Sequence, residues 1–493
     1  MMRLRPPRPA RHAGGSALRR ALRPALLASA LAAPVQVPAA DLLTIARDAL
    51  GNNAELSSER AVTRSTEAAR DVQQGDLRPQ VNASGNLAHN RQYESQSQDS
   101  TGFGFADGVG VDDDAYNTAS LVLEATQALF DARNAAEVEQ AERQIDQQLY
   151  QLAATEQQVL IDVSRAYFEI LRAYEVLEAR RAEERAIGRQ LEQAREQFEV
   201  GLIAITEVEE AKAAFDQARA ERIAAESDLQ VAFEALERLT GQRYASIEAL
   251  GQELPIRPPM PSDRDHWVTL ALEKNPRVLA SQAGVEVSRS SVDIARAERL
   301  PTVDAFANYR YADSDRDGLE DHDASSQVGV GINLPLYTGG RTSASIRQNT
   351  YLLASSQYDF EAQRRETIQQ VRSLYTQVSN DVATVEARAQ AVISNQSALD
   401  ATRAGYEVGT RNIVDVLNAE QSLYDAVANL ASARYDYVIN LLSLRQQAGT
   451  LDAEALEEVN AFLDGQSVTF TLPEEEDRYD GAMEIGAPPS PEG

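Results

Sequence analysis

The sequence predicts an α+β membrane protein in which one unit is written twice, each copy joining a β-hairpin of bilayer-crossing length to a very long helical hairpin. Three observations predict it. Val200-Gly201-Leu202-Ile203-Ala204-Ile205-Thr206-Glu207-Val208 returns, altered, as Val408-Gly409-Thr410-Arg411-Asn412-Ile413-Val414-Asp415-Val416, and an internal duplication means one architecture built twice. Each copy of that segment lies between long helical patterns. In the first, Val138, Ile145, Leu152, Val159, Ala166 and Ala173 recur every seven residues, with a second row at Leu149, Val163, Ile170 and Leu177 that Glu156 interrupts; heptad spacing is the pattern of coiled-coil packing. Upstream of the helices the period falls to two. Val303, Ala305, Ala307, Tyr309 and Tyr311 alternate with Thr302, Asp304, Phe306, Asn308 and Arg310, as in a strand with two unlike faces.

Taken in order, residues 1–39 read as a signal peptide. Arg3, Arg5, Arg8, Arg11, Arg19, Arg20 and Arg23 make a basic start, Ala25 to Ala33 a short apolar run, and Val37-Pro38-Ala39 a small-residue cleavage site. The first structural repeat occupies 40–251. It opens with a helical stretch over 41–76, continues with strands at about 79–94 and 116–129, and ends in a helical hairpin over 131–240 whose tip is 200–208. Between Asp131 and Val200 the helical pattern contains no proline and one glycine, Gly188; at 1.5 Å per residue it is a rod of roughly 100 Å. A proline-rich linker, 252–263, leads to the second repeat over 264–450. Its strands fall at about 301–312 and 325–337, and its helical hairpin at 341–448 has its tip at 408–416. Gly241 and Gly449 stand where helix C-caps belong. Residues 451–473 form a short segment packed on the rods, and 474–493, acidic and then proline-rich, form a disordered tail.

The strands have the length of membrane-crossing β-strands. Two hairpins cannot close a barrel, and an open edge is not tolerated in lipid. Transmembrane strands therefore require several chains to share one barrel, and four strands per chain fit a homotrimer with twelve. A soluble antiparallel sheet shows the same alternation, and a solid coiled-coil stalk the same heptads; both stay open on the residues alone. A ring of hairpins with polar inner faces accounts for the abundance of glutamine and acid on the helices.

Charge and composition exclude several functions. The chain carries 47 Lys and Arg against 76 Asp and Glu; without the seven arginines of the signal segment, which holds no acid, the net charge is −36. Such a chain does not bind nucleic acid by counterion release. With no cysteine, disulfides, thiolate metal sites and a lipidated N-terminal cysteine are excluded. His89, His266 and His322 lack metal-ligand spacing. Asp313-Ser314-Asp315-Arg316-Asp317-Gly318 opens like an EF-hand loop, but position twelve is Ala324 and strands flank it; it reads as an acidic exposed loop. No catalytic constellation, cofactor motif or metal site is expected, and the chain is not read as an enzyme.

Several segments carry a resemblance. GLIAITEV (201–208), LTGQRY (239–244), EVGTRNIVDVLNAE (407–420), SLYDA (422–426), ARYDYVINLLSLRQQAGTL (433–451) and TQALFD (126–131) resemble the TolC family of outer-membrane channel-tunnels, in collinear order over nearly the whole mature chain. The resemblance implies a homotrimeric, twelve-stranded outer-membrane β-barrel continuous with a periplasmic α-helical barrel. It implies an exit duct for tripartite efflux pumps and type I secretion in a Gram-negative outer membrane. The partners would be outer-membrane lipid, a periplasmic adaptor (membrane fusion protein), and an inner-membrane transporter of RND, ABC or MFS type. By the same resemblance Tyr406 and Arg411 are gate-locking residues that reach Thr206 and Glu207, the last standing where the family usually has aspartate. Asp415 matches the first of two acidic constriction rings. The second position holds Asn418, so a single ring and weaker cation selectivity are expected. Val200, Gly201 and Leu202, with Val408, Gly409 and Thr410, match adaptor-contact tips, although a tight helix turn needs glycine by itself. The alternative function is a non-channel periplasmic coiled-coil stalk or adaptor subunit.

Overall fold

The computed structural model describes residues 39–94, 112–251, 255–314 and 321–469. The expected signal segment up to residue 38, the loop 95–111, most of the EF-hand-like loop and the acidic tail lie outside the described residues.

The first half of the chain runs α1 (Leu42–Asn52), α2 (Ala54–Gly75), β1 (Gln80–Glu94), β2 (Asp112–Phe130), α3 (Ala132–Glu199) and α4 (Ile205–Thr240). After a short strand, β3 (Ser246–Leu250), the order recurs as α5 (Arg264–Lys274), α6 (Pro276–Ala297), β4 (Thr302–Ser314), β5 (Asp321–Asn333), α7 (Arg341–Glu407) and α8 (Ile413–Gln447). Two further elements close the chain, α9 (Ala453–Asn460) and β6 (Leu463–Thr469).

Each helical stretch ahead of a β-hairpin is two helices, not one. Asn53 separates α1 from α2, and its side chain accepts from Leu56 N while its Nδ2 donates to Leu239 O at 3.1 Å. In the second half Asn275 precedes Pro276, accepts from Arg277 N and Val278 N, and donates to Gln447 O at 2.8 Å. Each asparagine thus caps one helix and satisfies a carbonyl in the last turn of another. As a result α2 continues the line of α4, and α6 that of α8, alongside α3 and α7.

The long helices form coiled coils as their heptads require. On α7, Val371, Val378 and Val385 are buried at seven-residue spacing, and Leu399 extends the row. On α8, Val416, Leu423, Tyr437 and Leu444 do the same. On α4 the buried row is Ala211, Ala218, Ala225 and Ala232, small side chains that let α3 approach closely. The main core lies at mid-height, where Tyr167, Phe168, Ile170 and Leu171 of α3 meet α1, α5, α9 and Tyr435 of α8. Strands β3 and β6 pair antiparallel against this core, with Ile247 and Val468 buried; neither strand was legible in the sequence.

Strands β1, β2, β4 and β5 form one antiparallel sheet in the order β1-β2-β4-β5. The register puts Leu87 beside Ala119, Leu121 beside Tyr311, and Ala307 beside Val328. One face is therefore apolar across all four strands, and Val81, Leu87, Val328, Val330 and Ile332 on it are exposed. The opposite face carries Asn82, Ser84, Thr118, Glu124, Asn308 and Gln327. The outer edges of β1 and β5 have no strand partner among the described residues. Pairing continues further from the helices than expected, up to Glu94↔Asp112 and Ser314↔Asp321. At the helical end β5 stops at Asn333 rather than reaching 337, since Pro335 has no amide to give to a ladder.

Candidate functional site

The two tips are built alike. At the end of α3, Gly201 N donates to Phe198 O at 2.9 Å and Leu202 N to Gln197 O at 2.8 Å. At the end of α7, Gly409 N donates to Tyr406 O at 2.9 Å and Thr410 N to Gly405 O at 2.8 Å. Both are Schellman turns, and both need the left-handed backbone that Gly201 (φ 76°) and Gly409 (φ 75°) adopt. The turns leave Val200, Leu202 and Val408 at least 70 % exposed, an apolar cap on each tip.

The helices leaving the tips start differently. Ala204 gives α4 no side-chain cap. Asn412 and Asp415 form a capping box at the start of α8: Asp415 N donates to Asn412 Oδ1 at 2.8 Å and Asn412 N to Asp415 Oδ2 at 3.3 Å. The Arg411 guanidinium lies 3.8 Å from the same carboxylate. Asp415 therefore makes three local contacts, two with Asn412 and one with Arg411. Asn418 is exposed one turn further along α8.

The first tip meets the second through an apolar cluster in which Ile187, Leu191, Val208 and Ala211 pack on Ile413 and Leu417, with Tyr406 at its edge. Burial and the nearby Glu207 carboxylate raise the Tyr406 phenol above its ordinary range. So Tyr406 and Glu207 are electrostatic neighbours across the two tips. The Tyr406 hydroxyl nevertheless donates to Gln197 Oε1, at 3.0 Å, and not to an acid. Arg411, within one chain, is directed to Asp415. Thr206 is exposed in the first turn of α4.

Residues that the sequence did not single out complete the junction. Above the tip, Glu420 is fully buried. Its Oε1 accepts from Arg403 Nη2 at 2.7 Å and from Gln190 Nε2 at 3.2 Å, while its Oε2 and Arg403 Nε have no protein partner. Higher still, Tyr435 donates to Glu175 Oε1 at 2.6 Å, and Arg172 lies 3.4 Å from Asp436. Polar rungs thus join α3 to α7 and α8, from the tip up to the aromatic core. The one signal for them in sequence is a charged residue seven positions from an apolar one, as Glu420 stands from Ile413.

The family model described as outer membrane efflux protein matches residues 45–242 and 267–450 of this chain. Outer membrane protein TolC of Vibrio cholerae is 37 % identical over 342 residues, 69 % of this chain and 78 % of that protein. Its namesake in Escherichia coli is 34 % identical over 371 residues, 72 % and 74 % of the two chains. Alkaline protease secretion protein AprF of Pseudomonas aeruginosa is 35 % identical over 315 residues, 63 % and 66 %. Among solved structures, the transmembrane channel CusC superposes with a TM-score of 0.71 at 18 % identity, covering 83 % of this chain and 92 % of its own. The outer membrane protein VceC of Vibrio cholerae gives 0.67 at 20 % identity, covering 83 % and 97 %. At such identities these structures establish the fold.

Proposed function

Because this chain belongs to the outer membrane efflux protein family, we propose that three copies of it form a gated exit duct, a twelve-stranded barrel continuous with a tunnel of helical hairpins. It is an outer-membrane channel protein and not an enzyme. The observation that carries the trimeric duct is the four-stranded sheet, apolar on one face and polar on the other, whose two edges have no strand partner among the described residues. In a bilayer every backbone donor and acceptor must be satisfied, so such a sheet survives only as part of a closed barrel. Pairing β5 of one copy with β1 of the next supplies that closure, directs the apolar face to lipid and lines the lumen with the polar one.

The tips form the gate in this reading. The pairing of Tyr406 and Arg411 with Thr206 and Glu207 is assigned to the closed trimer, where Arg411 exchanges Asp415 for a carboxylate of an adjoining tip. A charge-assisted contact between guanidinium and carboxylate is strong yet reversible, as a gate requires. The lumenal ring at Asp415 is weakened by its own capping box. The exposed Val-Gly tips at 200–202 and 408–410 offer apolar contacts to a periplasmic adaptor, which couples the duct to an inner-membrane transporter. The relative named for alkaline protease secretion supports type I export, and the family description supports efflux.

Single-channel recording in planar bilayers tests the gate. Wild-type protein is expected to conduct weakly and Arg411→Ala strongly. A folded trimer that conducts in neither form would leave a periplasmic stalk as the better reading.

A further inference from the structure

One row of α3 runs Ala173, Arg180, Ile187 and Ala194 at seven-residue spacing, and the two alanines flanking the row and Ile187 are buried. Arg180 interrupts it roughly 30 Å above the tip, about 20 residues at 1.5 Å each. Its side chain is 19 % exposed and meets three carboxylates from three helices. Nη1 lies 2.7 Å from Glu183 of α3 and 3.2 Å from Glu221 of α4; Nη2 lies 2.8 Å from Asp425 of α8. Glu183 is only 2 % exposed.

These contacts differ in what they join. Arg180, Glu183 and Glu221 all belong to the first repeat's hairpin, which is also tied by Arg222 to Glu184 at 2.8 Å and by Arg181 to Glu226 at 3.6 Å. Asp425 alone belongs to the second repeat. Above this level α8 is held by the apolar core around Tyr435, Tyr167 and Phe168, contacts that water cannot replace. Below it, the two hairpins meet through hydrogen bonds, Gln190 to Glu420 and Tyr406 to Gln197, and through a smaller apolar cluster in which Ile187 and Leu191 pack on Ile413 and Leu417. Polar contacts exchange with water at small net cost, and the lower cluster buries far fewer apolar side chains than the core above, so the lower part of α8 is the more weakly held part.

We propose that Arg180 is a positioning residue for gate opening: through Asp425 it holds the lower part of α8, which carries Asp415 and Asn418, against the α3–α4 wall. Three acids facing one guanidinium leave that hold in balance, because loss of the Asp425 contact leaves Arg180 fully occupied by Glu183 and Glu221. The inference rests on the gated-duct reading above.

The test uses the full trimeric protein with Arg411→Ala as background. Asp425→Asn, nearly isosteric, is expected to raise open probability about fivefold, which is about 1 kcal/mol. Asp425→Glu, which keeps the carboxylate, is expected to restore the background value. Glu226→Gln, which breaks ion pairs inside the first hairpin only, is expected to leave it unchanged. Equal behaviour of Asp425→Asn and Glu226→Gln, with Arg411→Ala still opening the pore, overturns the role of Arg180 and spares the gated duct. Absence of conductance in every form overturns both.

Discussion

Gly449 shows how a single residue can carry a junction between elements. It has a left-handed backbone (φ 71°), and a Cβ placed on it would stand 2.3 Å from Lys274 O. That close approach lets the end of α8 abut the start of α6. Gly409 has nearly the same φ, 75°, but open space around it. Gly409→Ala should therefore cost only the left-handed penalty, about 1–2 kcal/mol, and Gly449→Ala distinctly more. Urea unfolding of the helices followed by circular dichroism measures the difference; equal losses would mean that the α5–α6 junction yields freely. The two glycines were readable as chain punctuation because their left-handed backbone is a local property. The contacts of Tyr406 with Gln197, and of Glu420 with Gln190 and Arg403, were not. Glutamines are frequent on these helices, and no spacing marks the few that face another hairpin.

Elements are joined end to end by buried polar side chains. Asn53 and Asn275 each cap one helix and donate to the last turn of another, at Leu239 O and Gln447 O. Asn275→Ala loses both functions and leaves a buried carbonyl unpaired, at an expected cost of about 2–3 kcal/mol. Asn275→Asp keeps the capping oxygen and loses the donor. If Asp proves as stable as Asn, the link to α8 contributes nothing and capping explains the residue; a loss close to that of Ala identifies the link as the main effect. The sequence showed two helical stretches, 41–76 and 264–299, without their breaks. Asparagine and Asn-Pro are legible turn signals, but which helix end they would meet depends on chain folding some 170–190 residues away.

At the scale of the molecule, one chain leaves two kinds of surface unfinished. α7 buries six residues where α3 buries nineteen, and Tyr351, Tyr358 and Ile393 of α7 are at least 60 % exposed. The sheet likewise ends in two edges without a strand partner among the described residues and exposes Val328, Val330 and Ile332. Neighbouring copies and lipid complete these surfaces in the proposed trimer. Val330→Arg, on the apolar face, should then cost about 2–4 kcal/mol if it lies near mid-bilayer and sharply reduce heat-resistant trimer in the outer membrane. Asn308→Arg, on the polar face, should leave trimer yield near wild type. The reverse pattern on semi-native gels would invert the assignment of lipid and lumen faces.

The sequence by itself determined the duplicated order of elements, the long coiled-coil helices, the glycine-led tips and the alternating strands. These are local properties: a heptad, a two-residue period or a left-handed turn is written within a few consecutive residues. Only the tertiary structure decided that β2 pairs with β4, that β3 and β6 close over the mid-height core, that α2 continues α4, and that Arg180 reaches Asp425. Each of those contacts joins residues far apart in the chain. Their energy comes from burial and geometry set by the assembled helices, which no local pattern encodes.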